Sequence, residues 1–141
     1  MTPPPFRLEG LLRVRRVQEE QAVSVLADRR ARLRDSDAVR ERVLEELAGF
    51  GEPGTDVDTL RAVATARASI AARLGELRMQ RSALLPEVEA AAALHAEARR
   101  RVRGLERLAA EHVRQADADE LRAEQNRLDE LAPHRAGGKG R

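Results

Sequence analysis

Helix-forming sequence in this chain is interrupted most strongly by a hexapeptide rich in glycine and proline, Gly49-Phe50-Gly51-Glu52-Pro53-Gly54. Glycine loses more conformational entropy in a helix than other residues, and proline lacks the N–H group that a helix interior needs. Thr55 and Asp58 follow at the spacing of a helix N-terminal capping box. The pattern predicts helix 1 over about 6–48, a turn at 49–58, helix 2 over about 59–132 and a disordered tail at 133–141.

Both flanking segments repeat apolar residues at heptad spacing, which is typical of a coiled coil. In helix 1 the two repeating positions carry Leu12, Glu19, Leu26, Leu33, Arg40 and Leu47, and Leu8, Arg15, Ala22, Arg29, Ser36, Val43 and Phe50. In helix 2 they carry Val63, Ile70, Leu77, Leu84, Ala91, Ala98 and Leu105, and Leu60, Arg67, Leu74, Arg81, Val88, His95, Val102 and Ala109.

Pro86 lies inside the second repeat, which keeps its phase on both sides of the proline. We therefore expect a kink at Pro86 within one helix. A break into two shorter helices at Leu85–Pro86 is the alternative.

Two long heptad-bearing helices joined by a short break predict an all-α fold, a long antiparallel two-helix coiled-coil hairpin forming a single domain over 1–141. Helix 1, of about 43 residues, is too short to cover helix 2, of about 74. If pairing starts at the turn, helix 1 covers about 59–101, and the longer C-terminal helix overhangs at 102–132. In the alternative, residues 59–85 fold back as a separate hairpin and both termini pair directly.

The apolar stripe changes phase inside this overhang. Beyond about His112 it continues two positions out of register, as Ala118, Leu121, Gln125, Leu128 and Ala132. The apolar face therefore rotates near 112–118, and exposed apolar surface of this kind commonly contacts a partner. The C-terminal third is thus a candidate binding element.

Charge is also segmented along helix 2. Residues 59–85 hold five Arg and one Glu, whereas residues 116–132 hold two Arg and six acidic groups. Two solvated faces explain this difference most simply, and two docking surfaces of opposite sign are the alternative.

Composition excludes several classes of function. The 141 residues include no Cys, Trp or Tyr, so disulfides and thiolate metal sites are excluded. A net charge of +2, with Phe6 and Phe50 as the only aromatic residues, argues against nucleic acid as a partner. There is no apolar leader and no run of about 20 apolar residues, so we expect a cytoplasmic protein without a transmembrane segment.

No motif in the chain supports catalysis. The hexapeptide at 49–54 has the G-x-G-x-x-G spelling, but the dinucleotide fingerprint needs a preceding strand, and a long helix precedes it here. His95 and His112 lie about 25 Å apart on one helix and cannot share a metal; both fall on seam positions and are interpreted as packing residues. We predict a protein that is not an enzyme and that uses no cofactor and no metal.

The N-terminal segment is amphipathic, because Phe6, Leu8, Leu11 and Leu12 alternate with Arg7, Arg13, Arg15 and Arg16. We interpret it as seam plus solvated face, with binding to an anionic membrane surface as the alternative.

Two segments near the ends of the chain carry a distinctive pattern. The first is Phe6-Arg7-Leu8-Glu9-Gly10-Leu11-Leu12-Arg13-Val14-Arg15, with Glu19-Glu20. The second is Leu105-Glu106-Arg107-Leu108 with Glu124-Gln125-Asn126-Arg127-Leu128-Asp129-Glu130-Leu131-Ala132. The first resembles the opening pattern, and the second the C-terminal ending, of the flagellar export protein FliJ family. The hexapeptide and the scarcity of aromatic residues are unusual for the family.

The resemblance implies a coiled coil like the central stalk of rotary ATPases. Such a protein inserts into the ring of the flagellar export ATPase, promotes its assembly and activity, and links it to the membrane export gate at the flagellar base. It is needed for flagellum biogenesis and motility, and export chaperones are further candidate partners. By this resemblance, the candidate residues of the ATPase-facing end are Phe6, Leu8, Leu11, Leu12, Leu121, Glu124, Gln125, Leu128, Asp129 and Glu130.

Two other functions fit the same pattern. One is a stalk or escort protein of a virulence type III secretion ATPase, and the other is a structural coiled coil that only homodimerises.

Overall fold

The computed structural model describes residues 4–52 and 54–136, and it contains two α-helices. Helix α1 is Glu9–Ala48, of 40 residues, and helix α2 is Val57–Ala136, of 80 residues. None of the described residues lies in a strand. The all-α, two-helix hairpin expected from the heptad pattern is therefore confirmed.

The chain divides into two compact units, where the sequence predicts one domain. The loop unit is Glu19–Glu97, which contains the connection between the helices. The terminal unit combines the chain up to Gln18 with the chain from Ala98 onward. Each unit takes one part from α1 and one from α2.

Both helices begin at residues that differ from the predicted ones. The carbonyl of Phe6 accepts a hydrogen bond from Glu9 N (3.1 Å), so a turn precedes α1 where the sequence predicts helix. At α2, the carbonyl of Asp56 accepts the first helical bond, from Leu60 N (3.0 Å), and the Thr59 hydroxyl donates to the Asp56 carboxylate (3.3 Å). Asp56 is therefore the cap, one residue later than the predicted Thr55, because either residue type serves at this position.

Helix α2 ends four residues later than predicted. It passes through Pro133 to Ala136, because a proline near a helix end removes one hydrogen bond without preventing the helical backbone. Of the tail predicted to be disordered, residues 133–136 are helical and residues 137–141 lie outside the described residues.

Pro86 does not end α2, which is one helix across this position. Residues 59–85 consequently do not form a separate hairpin, and the alternative break at Leu85–Pro86 is wrong. The seam explains the continuity, since Leu84 and Val88 are half-buried and Ala91 is buried on the two sides of the proline. The kink itself stays a prediction.

In the loop unit the two helices pack antiparallel around a thin core. Its buried apolar side chains are Leu26 and Val43 of α1 and Ile70 and Ala91 of α2. Ser36 is buried as well and donates its hydroxyl to Gln80 Oε1 across the seam (3.5 Å).

Three ion pairs define the register of this unit. Arg73 lies 4.0 Å from Glu46, Arg81 lies 3.0 Å from Asp37, and Arg29 lies 3.6 Å from Glu87. Ala48, at the end of α1, therefore lies about level with residue 71, and the start of α2 extends past it by roughly 20 Å. The expected pairing of helix 1 with 59–101 is wrong by about eleven residues. The connection between Ala48 and Val57 is long enough for this, because a chain of eight residues can reach up to roughly 25 Å.

Replacing Val43 by Ala tests how far the seam stabilises the fold. Val43 is 2% exposed, and losing its two methyl groups is expected to lower the free energy of unfolding by about 1–2 kcal/mol after the better helix propensity of Ala is counted. Val23→Ala is the matched control, because Val23 lies on the same helix but is 45% exposed. Urea unfolding followed by circular dichroism measures both, and equal effects would contradict seam burial as the source of stability.

Replacing Pro86 by Ala is expected to stabilise the chain. An interior proline removes one helical hydrogen bond and crowds the preceding turn, so the free energy of unfolding should rise by about 1–3 kcal/mol. Pro133→Ala, three residues before the described end of α2, should change it by less than about 0.5 kcal/mol. The same unfolding measurement compares the two, and a Pro86→Ala variant no more stable than the parent chain contradicts the account.

Candidate partner-binding surface

The N-terminal segment of the terminal unit crosses α2 at His112. The Phe6 ring centre lies 5.7 Å from that of His112, with the planes tilted by 47°. His112 Nε2 lies 2.8 Å from the carbonyl oxygen of Pro4. A carbonyl can only accept, so Nε2 carries the proton and donates it. His112, interpreted from the sequence as a packing residue on the seam, is half-buried, and its ring contacts the segment before α1.

Beyond this contact, the start of α1 packs antiparallel against α2. Leu12 and Val102 are buried, and Arg16 lies 3.4 Å from Glu106. Beside them is an open groove of about 530 Å³, whose apolar lining comes from Phe6, Leu12, Ala109, Val113 and Ala116. Asp117 is the residue furthest along α2 that lines this groove.

From about residue 118, α2 extends without a helix beside it in the described chain. Every side chain described over 119–133 is exposed, including Leu121 (59%), Leu128 (60%) and Leu131 (61%). The overhang is therefore 118–136 and not 102–132, because α1 pairs further along α2 than expected. Its 19 residues span roughly 28 Å.

The apolar stripe of this overhang lies on the opposite side of α2 from α1. The α1-facing residues are Ala98, Val102, Leu105, Ala109, His112 and Ala116, all buried or half-buried. The stripe of Ala118, Leu121, Gln125, Leu128 and Ala132 is offset from this series by two residues. Two residues turn an α-helix by roughly 200°, so the two series lie on opposite faces. The stripe thus cannot be covered by α1.

The ten residues predicted at the ATPase-facing end all belong to the terminal unit, in two groups. Leu12 is buried and Phe6 packs on His112, whereas Leu8 and Leu11 remain exposed. In the second group, on the overhang, all six side chains are exposed: Leu121, Glu124, Gln125, Leu128, Asp129 and Glu130. His112 and Leu121 are separated by about 14 Å along the helix, so the structure does not bring the two groups into contact.

The second group offers exposed apolar side chains flanked by carboxylates. Glu124, Asp129 and Glu130 form no ion pair with any residue that the structure describes. Within the same residues, no three His, Asp or Glu side chains lie close enough to hold a metal ion. No helix in the described chain is long and apolar enough to cross a membrane. The exposed leucines beside exposed carboxylates form a surface suited to contact with a partner.

Helix α2 carries a basic face that the net charges of its long segments do not reveal. Arg100, Arg103, Arg107 and Arg114 are exposed and spaced by three, four and seven residues, which places them on one side of the helix. Sorting the charges of helix 2 by helical face would have found them. The contact of Pro4 and Phe6 with His112 left no comparable signal in the sequence.

One family model, described as the flagellar FliJ protein, matches residues 5–141. No curated protein and no solved structure matches the chain. The family match covers nearly the whole chain, including both segments that resemble the family's ends. The chain therefore belongs to the flagellar FliJ family, whose members are components of the flagellar protein-export apparatus.

Proposed function

We propose that this chain is the stalk of the flagellar export ATPase. In this proposal the terminal unit inserts into the ATPase ring on the cytoplasmic side of the membrane, promotes ring assembly and hydrolysis, and links the ring to the membrane export gate. The observation that carries the proposal is the overhang at 118–136, a helix with exposed leucines that α1 leaves uncovered.

An uncovered helix of this kind suits insertion into a ring. Leu121 and Leu128 each keep more than half of their surface in contact with water, and moving that surface into a protein lumen is favourable. The flanking carboxylates of Glu124, Asp129 and Glu130 supply polar contacts at the rim of the apolar stripe.

The overhang is also asymmetric around its axis, which supports a role in coupling. Its apolar stripe occupies one side, so identical subunits around a ring would meet different surfaces of the helix. A subunit that grips the stripe more tightly in one nucleotide state than in another has its hydrolysis cycle biased toward that state. The stalk itself then needs no catalytic group, and we propose that it is not an enzyme.

The partners of this proposal are the export ATPase ring, the export gate and export chaperones. The chain would be held peripherally at the flagellar base by contacts with the gate, and cells lacking it would fail to build flagella. Family membership supports a role in export. The exposed leucines of the overhang support the ATPase ring as a partner.

Hydrolysis by the same organism's flagellar export ATPase tests the proposal. The full chain is expected to stimulate hydrolysis, and a chain ending after Ala118 is expected not to. Leu121→Ser with Leu128→Ser should weaken half-maximal stimulation about 10- to 100-fold, through the lost apolar contact.

The matched control is Leu94→Ser, because Leu94 is 62% exposed but lies on α2 within the loop unit. It should stimulate like the parent chain. The proposal is wrong if the shortened chain stimulates fully, or if Leu94→Ser is as damaging as the double substitution.

A further inference from the structure

One face of α2 in the terminal unit carries two chemically different halves in succession. The first half is basic, with Arg100, Arg103, Arg107 and Arg114 exposed on the side away from α1. Arg114 lies 3.8 Å from Glu111, and both side chains are about three-quarters exposed. Arg100, Arg103 and Arg107 form no ion pair among residues 4–52 and 54–136. Such guanidinium groups are available to an outside partner.

The second half of the face is apolar and acidic. Ala118, Leu121, Gln125, Leu128 and Ala132 continue the line of the arginines. Asp117, Glu124 and Asp129 lie beside this line, within about 80° of it around the helix axis. All three carboxylates are exposed. A partner that binds the whole face therefore needs carboxylates opposite the arginines. Opposite the second half it needs basic groups and a row of small apolar side chains.

A second copy of this chain, laid antiparallel on the first, meets that requirement. With a two-fold axis near residues 115–116, Arg107 lies opposite Glu124 of the other copy and Arg114 lies opposite Asp117. Arg103 lies within one position of Asp129, and Leu121 lies opposite the small side chain of Ala110. Because the axis repeats every pair, the contact is isologous and closes on itself.

We propose that the chain self-associates as a closed antiparallel dimer through this face of α2, over residues 100–132. The overlap is roughly 50 Å long, a length over which two side-by-side helices can bury the 1,200–2,000 Å² of a specific interface. Leu121 from each copy supplies the apolar contact with Ala110 of the other, and the arginine–carboxylate pairs fix the register and direction of the helices.

The charge order favours a second copy over an anionic membrane. A membrane surface would attract the arginines but repel Asp117, Glu124 and Asp129, which continue along the same face. The inference does not rest on the proposed function, because it concerns the chain alone. The dimer does cover Leu121, Glu124 and Leu128, so it and the proposed ring contact exclude each other.

Charge exchange between the two halves tests the dimer. Two double variants of the full chain are compared, Arg103→Glu with Arg107→Glu and Glu124→Arg with Asp129→Arg. Sedimentation equilibrium at about 100 µM protein should give the parent chain twice its 15.6 kDa mass. Each variant alone should lose about 100-fold in association constant, since it places like charges opposite one another. An equimolar mixture of the two variants should regain the dimer mass, because each restores opposite charges across the other.

The control is Arg61→Glu with Arg67→Glu, which changes charge by the same amount at exposed positions of α2 outside the proposed face. It should leave the dimer intact, and circular dichroism checks that all variants keep their helix content. A parent chain that stays monomeric at 100 µM overturns the proposal. A dimer that neither double variant weakens, or two variants that stay monomeric when mixed, also overturns it. No ATPase enters the measurement, so these outcomes are independent of the proposed stalk function.

Discussion

A single narrow row of buried aliphatic side chains holds α1 and α2 together in each unit of this protein. Leu12 and Val102 form it in the terminal unit, and Leu26, Val43 and Ile70 form it in the loop unit. With so few large side chains available, no second layer can form behind it. The ion pairs that flank the seam are between about a third and three-fifths exposed, so each contributes at most about 1 kcal/mol. Burial along the seam therefore carries the stability, and every other feature depends on where the seam lies.

The seam also determines which surface remains uncovered. Helix α2 has 80 residues and α1 has 40, so half of α2 must extend past the ends of α1. Part of this surplus lies between Val57 and the level of Ala48, part lies beside the segment that precedes α1, and the rest is the overhang from about 118. A different register would change how much of α2 extends past α1 at each end. The candidate site is therefore the part of α2 in the terminal unit that α1 does not cover.

Heptad spacing was sufficient to find the core but not the register. Among the residues that the structure describes, the six buried apolar side chains and the buried Ser36 stand at the repeating positions identified from the sequence. A repeat matches itself after any shift of about one heptad, so the same residues allow several pairings of α1 with α2. The observed pairing joins Ser36 to Gln80, and a polar side chain within a seam is a known device for selecting one register. Gln80 was not on a predicted seam position, so this selection could not be read from the heptads.

The candidate site was predictable to a similar degree. The phase change near His112 indicated an apolar stripe that α1 would not cover, and Leu121 and Leu128 are indeed exposed on the side away from it. The position at which the overhang begins depended on the register and was therefore wrong. Phe6 was assigned to the same end of the molecule, but its contact with His112 requires the non-helical path of Pro4 and Pro5, which the heptad pattern does not describe.

The point near Asp117 where α2 ceases to be packed against α1 and the segment before it has a mechanical consequence. Within the terminal unit, α2 is braced up to that point by α1 and by the segment before it, whereas the helical residues 118–136 have the stiffness of a single α-helix. Two local ion pairs, Arg114 with Glu111 and Arg122 with Asp119, join neighbouring turns on either side of the transition. A sideways load on the tip would concentrate bending where the brace stops, close to Asp117. The terminal unit thus combines a braced segment of α2 with a more compliant segment beyond Asp117.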